Sequence, residues 1–135
     1  MQEYAVLQTA ILLRRLAFQV NRAAKSGEAE AIHDLRVAIR RFSRALRAFA
    51  QFFPGRSGKK VRSQLAQVMA AAASVRDLDI ALELLAEAGI APRSAIVTRL
   101  ATERRHASHG LRLELRRWRM RSFSRKWRSQ LELQP

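Results

Sequence analysis

The run Ile32-His33-Asp34-Leu35-Arg36-Val37-Ala38-Ile39-Arg40-Arg41-Phe42-Ser43-Arg44-Ala45-Leu46-Arg47 carries two periodicities at once. At ~100° per residue, Leu35, Ile39, Phe42 and Leu46, continued by Phe49, fall on one side. That is the i, i+3, i+4 spacing of a helix facing a core. His33, Arg36, Arg40, Arg44 and Arg47 fall on another side, within an arc of roughly 80° and over about 21 Å of axis. No acid lies in this second stripe. Like charges at helical spacing repel, and ordinary solvated faces mix signs. A single-sign row of this length therefore points to an anionic partner lying along it.

The rest of the chain fits that reading. Its 135 residues are 48% hydrophobic with five Gly and three Pro, enough to bury a core and unlike a disordered basic tail. Abundant Ala, Leu and Arg, little Thr or Tyr, and no alternating apolar pattern predict an all-α fold. The absence of cysteine excludes disulfides, thiolate metal sites and a Cys nucleophile. The first residues lack the basic start of a secretory signal and no apolar run approaches membrane-spanning length, so the expected location is the cytoplasm, with no membrane partner.

The net charge is +15, and 22 of the 26 basic residues are Arg, whose planar fork captures phosphate oxygens bidentately. Such an excess favours nucleic acid, an anionic membrane or another phosphate polymer. Residues 1–54 hold 9 basic and 4 acidic groups, 55–88 hold 5 and 4, and 89–135 hold 12 and 3. The positive field comes from the two ends of the chain, with a nearly neutral middle.

Helices are predicted over 3–24, 28–53, 57–88, 92–120 and 122–131. Tyr4 to Leu13 of the first is uncharged and apolar nearly all round, which predicts burial on more than one side and a partner surface. Ser26-Gly27-Glu28 and Pro54-Gly55 are the breaks around the second, and Ser57 reads as the N-cap of the third. In that helix Val61, Leu65, Val68, Met69, Ala72, Val75, Asp79, Leu82 and Ala86 track one face, and Gly89 closes it. Pro92 is placed to open the fourth helix, whose core stripe runs from Ile96 through Leu100, Leu111 and Leu115 to Trp118. Arg105, His109, Arg112 and Arg116 form a second basic ladder roughly 150° away from that stripe. Short connections between long helices imply an up-down four-helix bundle of antiparallel helices, with a short fifth helix at the C-terminus.

His33-Asp34-Leu35-Arg36-Val37-Ala38-Ile39-Arg40-Arg41, followed about 35 residues later by Val75-Arg76-Asp77-Leu78-Asp79-Ile80, resembles the CHAD domain, the conserved histidine α-helical domain. Its recurring words look like HxxRVxxRR and RDLDV, and the likeness spans roughly residues 3–131. The resemblance implies an all-helical fold of two similar four-helix halves around a basic surface. It also implies that the surface binds inorganic polyphosphate and that members can be recruited to polyphosphate granules. Carried onto this chain, the implied contacts are His33, Arg36, Arg40, Arg41 and Arg76, with Asp77 and Asp79 beside them. The usual domain is about twice this length, so one half is present here and a homodimer is expected. An Arg is common where this chain has Ser43, with Arg44 next door.

Asp77 and Asp79 at i, i+2 point about 200° apart on a helix and cannot share one ion as side-chain neighbours. They are read as structural ion-pair residues. Asp79 falls on the core side, where it can hold Arg36, Arg40 or Arg104, the last of which lies inside an apolar stripe and needs a partner. His106 and His109 have no carboxylate spaced to complete a metal site. No cofactor, metal or nucleophile is expected, and no catalysis. Phe42, Phe49, Phe53 and Trp118 occupy core positions, leaving Phe123 and Trp127 as the aromatics free for base stacking, and the helix 2 ladder lacks the Asn or Gln that reads base edges. Nucleic acid is therefore kept as a competitor to polyphosphate. The expected site is His33, Arg36, Arg40, Arg41, Arg44, Arg47 and Arg76, extended by Arg105, His109, Arg112 and Arg116.

Overall fold

The computed structural model describes residues 1–133, which form five α-helices and no strand. They are α1 (Gln2–Lys25), α2 (Ala29–Ala48), α3 (Gly55–Glu87), α4 (Ala95–Met120) and α5 (Phe123–Gln130), with a single 3-10 turn at Ala50–Phe52. The four long helices pack in a ring, α1 on α2, α2 on α3, α3 on α4 and α4 back on α1. Their short connections make each neighbour antiparallel. The all-α up-down bundle with a short C-terminal helix is what the periodicity predicts.

Leu13, Leu16 and Val20 of α1, Leu35, Ile39, Phe42 and Leu46 of α2, Val61, Leu65, Val68, Ala72 and Val75 of α3, and Leu111 and Leu115 of α4 are buried together. Burial of α1 is one-sided. Tyr4, Leu7 and Phe18 stand more than half exposed, so the expected burial on more than one side is not met within this chain.

Three boundaries differ from expectation, each for a local reason. Helix α2 stops at Ala48 because Phe53, preceding Pro54, is held extended (φ −120°, ψ 152°), and Ala50–Phe52 tightens into the 3-10 turn. Helix α3 then starts at once. Pro54 takes the cap position without a side-chain bond, the Gly58 amide donates to its carbonyl, and Ser57 is already inside the helix. Helix α4 starts at Ala95 because Ser94 Oγ accepts the Val97 amide at 3.4 Å, while Pro92 sits in the turn before it. Gly89 ends α3 as expected. At φ +78° it lets the Ile90 amide reach the Leu85 carbonyl and its own amide reach that of Ala86.

A turn at Arg121–Ser122, with Ser122 in the left-handed region (φ 52°), folds α5 back over one end of the bundle. Trp127 stacks parallel on Phe42 at 6.1 Å and meets Trp118 and Phe123 edge-on, each at 5.1 Å. Phe123 and Trp127 are thus buried, not exposed as expected. Their hydrophobic area closes the core, and each aromatic pair adds about 1 kcal/mol beyond burial.

The opposite end is uneven. Helices α1 and α2 turn at Ser26–Glu28, where Gly27 lies so close to α4 that a Cβ there would collide with Ser108 Oγ. Arg104 of α4 donates to the Gly27 carbonyl and to Asp79 of α3 at the same level. Beyond Asp79 and Arg104 the pair α3–α4 continues alone. No apolar residue from 76 to 107 is fully buried, so the predicted core track through Leu82 and Ala86 ends at Val75.

Candidate polyanion-binding surface

Arg40, Ser43, Arg44 and Arg47 of α2 face Arg62, Ala66 and Met69 of α3 across an open groove floored by Ile39 and Leu65. The register follows from the antiparallel pairing. Arg62 meets the Arg44–Arg47 end, and Arg76, 14 residues further along α3, lies level with His33, 14 residues back along α2. Both intervals span about 21 Å of helix. At 100° per residue Arg62 and Arg76 also share one side of α3. The groove is therefore bounded by bases on both walls.

Their freedom matters as much as their position. Among the described residues, basic side chains pair with carboxylates only at Arg22, Arg99, Arg104 and Arg117. His33, Arg36, Arg40, Arg44, Arg47, Arg62 and Arg76 form none of these pairs. His33, Arg40, Arg44 and Arg47 are exposed, while Arg36, Arg62 and Arg76 are half-buried. The Nε of Arg36 is buried without a hydrogen-bond partner. A guanidinium N–H desolvated in that way is costly unless an acceptor arrives. Acid is scarce here because Asp34, the one carboxylate in the ladder stretch of α2, turns away to accept Arg22 of α1.

The remaining sequence-predicted residues lie elsewhere. Arg41 lines a different groove, between α1 and α2, with Arg15, Phe18 and Asp34. Arg105, His109 and Arg112 line a third, where α4 passes the α1–α2 turn at Gly27 and Glu28. Helix α4 packs on α1 and α3 and stands across the ring from α2. The structure thus brings the α2 ladder to Arg62 and not to the α4 ladder. Arg112 is committed to the fold, donating its Nε to the Ala24 carbonyl at 3.4 Å and its Nη2 to that of Lys25 at 2.9 Å. Those carbonyls end α1 and have no partner within it, so a cation there satisfies both bonding and the helix dipole. Arg105 bonds Thr102 Oγ1 at 3.0 Å, and Arg116 is exposed.

Of the two aspartates given structural roles, Asp79 accepts Arg104 Nε at 2.9 Å with both side chains largely buried. Asp77 is exposed and no base reaches it within 4 Å. Arg62 and Ser43 are the groove residues that the sequence reading did not select. The signal for Arg62 was its 14-residue spacing from Arg76. Among the described residues no three His, Asp or Glu side chains cluster to hold a metal ion, and no helix is long and apolar enough to cross a membrane.

A row of guanidinium groups without carboxylate partners lines this helix–helix groove, and the fold that carries it is a basic all-helical module. Residues 9–135 match the family model of the CHAD domain, and the chain belongs to that family. It is a family of binding modules, not of catalysts, associated in general with polyphosphate. No curated protein and no solved structure matches the chain.

Proposed function

We propose that the chain binds inorganic polyphosphate along the α2/α3 groove, without catalysis. The supporting observation is that Arg40, Arg44 and Arg47 face Arg62 across it and none of the four is engaged by a carboxylate. Arginines donate paired hydrogen bonds to successive phosphates, with Arg36, Arg76 and His33 continuing the row at its other end. Arg105, His109 and Arg116 form a second basic patch that a long polymer reaches after the groove. The module acts in the cytoplasm at polyphosphate granules, and two copies work together, each supplying one half of the basic surface.

Polyphosphate contacts displace condensed counterions, so affinity falls steeply with salt. The test is calorimetric titration of the chain and its Arg40→Glu/Arg44→Glu variant with polyphosphate at several salt concentrations. Loss of binding with an unchanged melting temperature is expected. Equal affinity of variant and parent at moderate salt overturns the groove as the site. Tighter, sequence-dependent binding to duplex DNA at matched charge overturns polyphosphate in favour of nucleic acid.

A further inference from the structure

The outer face of α1 is apolar and uncovered. Tyr4 is 55% exposed, Leu7 58% and Phe18 65%. With the partly buried Ile11 they recur at i, i+3, i+7 and i+14, within an arc of about 60° at 100° per residue. This arc lies opposite the buried stripe of the same helix, Ala5, Thr9, Leu13, Leu16 and Val20. The spacing is that of a seam between paired helices. Tyr4 is braced for such a contact, its ring meeting Phe49 edge-on at 6.3 Å. Large apolar side chains left open along one helix face mark an interaction surface.

The charges say what fits there and in which direction. Residues 2–13 of α1 hold Glu3 and no base, whereas residues 14–25 hold Arg14, Arg15, Arg22 and Lys25 and no acid. Arg14 and Arg15 flank the apolar arc on its two sides. A parallel copy of α1 sets each of these bases level with itself, and like charges repel. An antiparallel copy sets each basic half against a half without bases and also opposes the helix dipoles. With a two-fold axis at Ile11, Tyr4 meets the partner's Phe18, and Arg14 and Arg15 meet the partner's Gln8 and Leu7. Arg22 and Lys25 then pass beyond the start of the partner's α1. A two-fold pairing presents the same patch on both copies, and this stripe meets that condition. Helix α1 stands across the ring from α3, so the α2/α3 groove stays open in each copy.

We infer that a second copy of this chain covers the stripe, its α1 running antiparallel to the first, with Tyr4, Leu7, Ile11 and Phe18 of each in the seam. This rests on the two-copy reading above and requires no polyphosphate.

Sedimentation of the full chain without polyanion, over a range of concentrations, tests it against two variants. Leu7→Lys/Phe18→Lys puts charge into the seam, and Leu84→Lys/Ile96→Lys adds the same charge at exposed apolar positions of α3 and α4. All four positions are exposed, and circular dichroism verifies that each variant folds. The parent chain dimerises, the α1 variant associates about tenfold more weakly or worse, and the other variant keeps the parent affinity. Because the chain has no cysteine, single cysteines and a short thiol cross-linker read the direction. Ile11→Cys cross-links to its own copy, whereas Tyr4→Cys and Phe18→Cys cross-link only when mixed. A parent chain that stays monomeric overturns the two-copy reading and this seam together, and leaves the stripe to an unlike partner, a different protein or an anionic bilayer. A parent dimer that the α1 variant does not weaken, or that both variants weaken equally, overturns the seam alone. Tyr4→Cys linking to itself as readily as to Phe18→Cys overturns the antiparallel pairing. Polyphosphate titration of the same samples reports separately on the groove.

Discussion

Arg104 on α4 and Asp79 on α3 close on each other at 2.9 Å at the level where α1 turns into α2, and the same guanidinium holds the carbonyl of Gly27. One side chain of α4 thereby ties α4 both to α3 and to the α1–α2 turn. Below this tie the helices share a core, and above it α3 and α4 run alone.

Asp79 is thus a scaffold residue, although it belongs to a motif that resembles a binding signature. Its side chain is 13% exposed and that of Arg104 21%, so removing the carboxylate leaves a largely desolvated cation with only a carbonyl for company. Asp79→Ala should cost about 2–3 kcal/mol, below the range for fully buried pairs because water reaches this one. Polyphosphate affinity of the folded variant should be unchanged. Urea unfolding and calorimetric titration, run on the same preparation, check both halves.

Gly27 offers a test of the same corner through packing. A Cβ at this position collides with Ser108 Oγ, whereas the next contacts, Arg112 Cδ at 3.5 Å and Ser108 Cβ at 3.7 Å, are ordinary. Gly27→Ala alone should destabilise by about 1–2 kcal/mol. With Ser108→Ala the offending oxygen is gone, and most of that loss should return. Thermal melts of the two singles and the double form the cycle, and additive losses would show that the clash is not the cause.

The helices were legible because each inside position recurs every three or four residues. The ends were not. The apolar run Phe49 to Phe53 reads as more helix, yet Phe53 is held extended before Pro54. Pro92 and Ser94 are both start signals, and the residue whose oxygen reaches a free amide sets the boundary. Leu82 and Ala86 continue a core spacing flawlessly, but burial also requires neighbours of equal length, and α1 and α2 have already turned. For the site, the α2 ladder was readable from one helix alone. Which bases face it depends on the register between helices, so Arg62 was passed over and Arg41, beside Arg40 in sequence, turned out to line another groove. The structural duty of Arg112 follows from where α1 ends, which no spacing within α4 reveals.

Arg62 and Arg41 therefore separate a reading based on sequence resemblance from one based on geometry. Arg41 sits in the motif but lines the α1/α2 groove with Arg15 and Asp34, and Arg62 lies outside the motif but faces Arg44 and Arg47. If the α2/α3 groove holds the polymer, Arg62→Glu removes one charge-assisted contact and places a carboxylate among the phosphates. A loss of about tenfold or more in affinity is expected, with a shallower dependence on salt because fewer counterions are released. Arg41→Glu changes the net charge by the same amount at a greater remove and should cost only the small, screened, long-range part of the attraction. Both side chains lie outside the core cluster, so melting temperatures should stay close to the parent value. Calorimetric titration at two salt concentrations reads the comparison, and an Arg41 variant impaired as deeply as the Arg62 variant would move the polymer out of the groove.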